Sequence, residues 1–106
     1  MTNQTDPARI ASAALATAHR AYNRARSVKT TTRAQATRAA ISAVRAYRRA
    51  RAAYHAAHTL ARRTIATGYH PAYSQMADQA EDATFEARIY AGAAIMAARV
   101  IHPKTA

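Results

Sequence analysis

Seven arginines are the side chains of this sequence best suited to bind something: Arg38, Arg45, Arg48, Arg49, Arg51, Arg62 and Arg63. A guanidinium is planar, permanently charged and forked, so it can grip two oxygens of one phosphate, and it is more weakly hydrated than an ammonium group. The densest group is Arg45-Ala46-Tyr47-Arg48-Arg49-Ala50-Arg51, and Arg62 stands 17 residues after Arg45. On a helix that separation is roughly 25 Å, a span able to contact phosphates on both sides of a groove. Between Pro7 and Thr67 there are 13 Arg or Lys and no Asp or Glu. A coding bias toward Arg and Ala explains Arg over Lys, but it does not explain the missing acids. The pattern predicts a face that binds a polyanion through non-specific contacts to a phosphate backbone. The competing account is a solvated face, or one paired with a protein.

The remaining reactive groups carry weaker signals. Asp78, Asp82 and Glu86 fall at i, i+4 and i+8 with Glu81 beside them. Like charges at that spacing repel by a few tenths of a kcal/mol, so a cation is expected nearby. The simplest source is the arginine field of the preceding helix, and a divalent metal is the less economical one. His55 and His58 stand three apart, close enough to share an ion, yet no Cys or acid near them in sequence completes a ligand set, and Arg51 and Arg62 would repel a cation. Tyr47 and Tyr54, seven apart, suit either packing at the edge of a core or stacking on unpaired bases. There is no Gly-rich phosphate loop, nucleophile elbow or zinc motif. The expectation is a protein without catalytic residues, metal or cofactor.

The arginines need a frame that holds them, and the helix signals supply one. Thr32 followed by Gln35 forms a capping box, and Gly68 suits a left-handed stop. No Pro or Gly interrupts the 35 residues between, which would extend roughly 52 Å as a helix. Asp6-Pro7 is an N-cap acid followed by a first-turn proline, and Pro71 can open a third helix. The expected fold class is all-α, with three antiparallel helices at about 7–28, 33–67 and 71–101 and a long basic one in the centre. Polar tails at 1–5 and 103–106 flank a single domain spanning 1–106.

The apolar faces are shallow. In the central helix Ala36, Ala39, Ala43, Ala46, Ala50, Ala53, Ala57 and Ala61 recur at spacings of three and four, bordered by Tyr47, Tyr54 and Ile65. The first helix aligns Ile10, Ala14, Ala18, Ala21, Ala25 and Val28, with Arg9, Arg20, Asn23 and Arg24 opposite. In the third, Phe85, Ile89, Gly92, Met96 and Val100 fall at core spacing. Its other side carries Ala87, Ala94, Ala98 and Ile101, where self-association or a protein partner is expected.

Composition bounds the function. The formal net charge is +11 and the pI about 11.3, so negative partners are favoured. Of 106 residues 32 are Ala, and only 12 are Leu, Ile, Val or Phe. Such a core is thin, which again points to completion by another chain. There is no Cys, hence no disulfide framework, and cytoplasm is the default compartment. The opening residues lack a signal peptide's basic and apolar regions, although the Arg-rich stretch after them superficially resembles a transit peptide. No apolar run is long enough to span a membrane. Two function classes remain: a nucleic-acid-binding protein, DNA or RNA, and a helical assembly or adaptor protein, such as a virion component or inhibitor, whose basic face meets an acidic protein surface.

Overall fold

A computed structural model describes residues 6–29, 31–68 and 71–102 of the chain. Three helices hold nearly all of them: α1 Pro7–Arg26, α2 Arg33–Thr67 and α3 Pro71–Val100, with no strand among the described residues. The expected tails at 1–5 and 103–106 lie outside the described residues, as do Thr30 of the first turn and Tyr69-His70 of the second.

Local chemistry sets the helix ends. Asp6 Oδ1 accepts from the Ala8 N–H at 2.9 Å, with Pro7 in the first turn. At α2, Thr32 Oγ1 accepts from the Gln35 N–H at 3.2 Å while Gln35 Oε1 accepts from the Thr32 N–H at 2.9 Å. Both arms of the capping box are therefore closed. Replacing Thr32 with Ala removes one arm and is expected to cost about 1 kcal/mol. In a domain this small that lowers Tm by roughly 4–8 °C; a thermal melt that does not move would show that the cap contributes nothing.

Two ends differ from expectation. α1 stops at Arg26 rather than near Val28, because Ser27 turns extended (φ −73°, ψ 121°) and donates its N–H to Arg24 O at 3.2 Å. Val28 thereby leaves the apolar face and is exposed. Gly68 has the expected positive φ of 134°, but its ψ of 139° is extended. The chain leaves α2 by stretching out, not by curling back as a left-handed cap does.

Among the described residues every buried apolar side chain is an alanine. Ala11, Ala14 and Ala18 of α1 meet Ala46, Ala50 and Ala57 of α2 and Ala80 and Ala87 of α3. Ala21 and Ala25 meet alanines 36–43 and 91–98. The early part of α1 thus faces the late part of α2 and the early part of α3, so α2 runs antiparallel to both neighbours. Each helix packs on the other two, and methyl-on-methyl seams permit axes near the short end of the usual 8–10 Å range. The result is a rod of 61 × 24 × 13 Å.

The orientation of α3 corrects the sequence reading. Ala87 and Ala94 have no exposed surface and Ala98 is buried, so these residues, expected at an outer contact, lie inside the bundle. Phe85, Ile89, Met96 and Val100, spaced like a core, are instead 55–67% exposed. The reason is steric: alanine faces on α1 and α2 admit only an alanine face between them, and a Phe or Met there would hold the axes apart. Ile101, the fourth expected contact residue, sits just beyond α3 with 37% of its surface exposed. Ile65, expected at the border of the α2 stripe, is likewise exposed.

Candidate nucleic-acid interface

The seven arginines do not share one face; they are spread over the outward arc of α2. Arg38 and Arg49 turn toward α1. Arg38 lines a shallow groove of about 540 Å³ with Arg20, Arg24, Gln35, Thr17 and Ser42. A second concavity of about 420 Å³ continues it through Thr17, Arg38 and Ser42 to Arg45 and Arg49. Arg48 lies on the opposite flank, in a groove shared with α3, and Arg45 stands on the ridge lining both sides. Arg51 borders a small depression with Tyr54, His55, Glu81, Phe85 and Arg88. Arg62 and Arg63 form a separate concavity with Thr59 near the far end of α2.

The α1–α2 groove is a phosphate-compatible surface with no acid in its lining. It brings Arg20, Arg24, Arg38, Arg45 and Arg49 to one side, among Thr17, Ser42, Gln35, alanines and Ile41. Arg20 and Arg24 were identifiable in sequence only as residues opposite the apolar side of α1. Their partnership with Arg38 depends on how the two helices are rotated about their axes, which spacing within one helix does not encode. Among the described residues the sole ion pair within 4.0 Å joins Arg9 to Asp6, at 3.9 Å. The groove arginines therefore have no carboxylate in contact, and their field is left to a partner or to solvent.

The acidic ridge comes beside the arginines, and Glu81 shares a depression with Arg51 and Arg88. None of Asp78, Glu81, Asp82 and Glu86 closes an ion pair with an arginine of α2 among the described residues. Instead Glu81 Oε2 accepts from the Tyr54 hydroxyl at 3.1 Å. That hydrogen bond is the main cause of a Tyr54 pKa raised above the ordinary 10, followed by desolvation and the charges of Glu81 and Asp78. Because the folded pKa is the higher one, the bond's contribution is complete below pH 10 and lost as pH rises through the folded value. Absorbance titration at 295 nm should show Tyr54 ionising above the ordinary 10, and Tyr54→Phe should remove that high-pH component. A titration identical in parent and variant would count against the bond.

His55 and His58 flank Tyr54, with ring centroids 5.3 and 5.9 Å from it. No group of three His, Cys, Asp or Glu capable of holding a metal occurs among the described residues. A contact without sequence signal joins α1 to α3: His19 stacks on Tyr90 at 4.6 Å, Tyr22 approaches the same ring at 5.7 Å, and Arg26 lies 5.3 Å over Tyr22. Among the described residues no helix is long and apolar enough to cross a membrane. No family model matches the chain, and comparison with curated proteins and with solved structures gives no match.

Proposed function

We propose that this protein binds nucleic acid through phosphate-backbone contacts made by the α1–α2 groove, and acts as a binding protein rather than an enzyme. The observation that carries the reading is the set of five arginines, Arg20, Arg24, Arg38, Arg45 and Arg49, gathered on one side with no carboxylate in contact among the described residues. A net charge of +11 adds a long-range attraction for the same partner. The shape supports it as well. A rod 61 Å long runs beside about 18 base pairs at ~3.4 Å each, and no short recognition helix occurs among the described residues to enter a groove and read bases. Binding is accordingly expected to be indifferent to sequence, and the protein to reside in the cytoplasm beside its ligand.

The test is a fluorescence anisotropy titration of labelled duplex DNA, duplex RNA and single-stranded DNA across a salt series. Log affinity should fall linearly with log salt, and unrelated sequences of one nucleic-acid type should bind alike. No binding at low salt, or binding unaffected by salt, would refute the reading. The ranking of the three ligands identifies the preferred one.

A further inference from the structure

We propose that the opposite side of α2, the groove it forms with α3, is a docking site for an acidic amphipathic helix of a protein partner. The two grooves that flank α2 differ in their apolar residues. The α1–α2 groove has alanine methyls and Ile41 among its arginines and hydroxyls, little for a large apolar group to bury against. The α2–α3 groove, of about 550 Å³, is floored by three branched side chains, Ile41, Val44 and Ile95, between Arg33, Arg45, Arg48 and Arg99. A phosphate backbone has no use for such an apolar floor. A helix with a leucine-type stripe and flanking carboxylates uses both parts: the stripe is buried and the acids reach the arginine rims.

Three further observations favour this occupant. Ile41 is half exposed, and the adjoining crest of α3 leaves Phe85, Ile89 and Met96 more than half exposed, so the apolar strip extends beyond the groove itself. Gly92 lies on that crest with nothing within 4 Å of where a Cβ would stand, which leaves room for a close backbone. Finally, the seam continues from Arg33 past Arg51 to Tyr54, a length of roughly 32 Å that accommodates a helix of about 20 residues. Glu81, near the Tyr54 end, is held by the tyrosine hydroxyl and is the one acid lining this seam among the described residues.

The probe is a synthetic labelled helix of about 20 residues, Leu at i, i+3, i+4 and i+7 and Glu on the other face. Its control is a scrambled peptide of identical composition. Anisotropy should show the amphipathic peptide binding at least about tenfold more tightly than the scrambled one, since only it buries a continuous stripe. Changing Arg33, Arg48 and Arg99 together to Gln should weaken the peptide about tenfold, the expected sum of three rim charges. Changing Arg20, Arg24, Arg38 and Arg49 to Gln should alter it less than about threefold, because those groups lie across α2. All three replaced groove arginines are exposed, and circular dichroism checks that each variant keeps its helix content.

Equal binding of the two peptides would overturn the proposal, as would a triple variant that binds like the parent. Loss of duplex binding in the triple variant as severe as in the quadruple one would assign the groove to nucleic acid. A parent dimer, by sedimentation equilibrium, whose peptide affinity falls as protein concentration rises would assign it to a second copy. Either result overturns the proposal. A protein that binds the amphipathic peptide but no nucleic acid leaves it standing and removes only the nucleic-acid reading.

Discussion

Placing a carboxylate at Ala94 is expected to unfold the bundle. Ala94 has no exposed surface and is surrounded by alanines of α1 and α2 such as Ala25, Ala36 and Ala43. A glutamate there must either carry its charge into an apolar interior, at an effective cost of several kcal/mol, or take up a proton through a raised pKa. It must also force apart helices whose spacing is set by methyl groups, which adds about 1–3 kcal/mol of overpacking. A small domain has roughly 5–15 kcal/mol in total, and a core built of alanine lies toward the low end. The helical signal at 222 nm should collapse at 25 °C. Met96→Glu, two residues away on the exposed side, should stay within about 0.5 kcal/mol of the parent. If Ala94 formed a contact between copies, the same glutamate would instead give a smaller species with its helices intact. Sedimentation together with circular dichroism separates the two outcomes.

Replacing Arg20, Arg24, Arg38 and Arg49 with Gln should produce the largest change in ligand binding. Each phosphate contact on duplex DNA contributes about 0.9 to the slope of log affinity against log salt, so losing four flattens it by up to roughly 3.6. The loss should be greatest at low salt and equal across unrelated sequences. Stability should hold, because these groups have no carboxylate partner in contact among the described residues. Gln also forms helix nearly as well as Arg, and the Arg20 bond to Thr17 Oγ1, at 3.3 Å on the surface, contributes little. An unchanged slope would mean that these four side chains touch no phosphate, and the α1–α2 groove would lose its assignment.

What was legible in sequence, and what was not, divides by range. Thr32-Gln35 and Asp6-Pro7 located two helix starts correctly because a cap is complete within four residues. The α2 alanine stripe was equally readable, since one helix fixes its own faces. The inward side of α3 was not, because Phe85, Ile89, Met96 and Val100 outweigh Ala87 and Ala94 on any hydrophobicity scale. The choice was made by the shape of the two faces waiting to receive α3. The candidate site divides in the same way. The acid-free arginine run predicted a basic surface, but its division between a groove beside α1 and one beside α3 floored by Ile41, Val44 and Ile95 depends on rotations between helices. The His19–Tyr90 stack and the Tyr54–Glu81 bond join residues of different helices and leave no mark in the spacing of either.

The alanine interior has a consequence for how the helices find their places along one another. Ala36, Ala43, Ala50 and Ala57 recur every seven residues, as do Ala11, Ala18 and Ala25, and Ala80, Ala87 and Ala94. A seam of identical methyl groups is nearly unchanged when one helix slides by about 10.5 Å, the rise of seven residues. Large side chains normally forbid such a slip, because each knob has its own hole. Here the alignment comes from the rim: Ile10, Leu15, Tyr47, Met76 and Ile95 packed against the seam, the His19–Tyr90 stack between α1 and α3, and the Tyr54–Glu81 bond between α2 and α3. These rim contacts serve as the index marks of an otherwise uniform seam. Losing them would leave three intact helices free to settle one heptad out of place, and each arginine groove would then be assembled from the wrong partners.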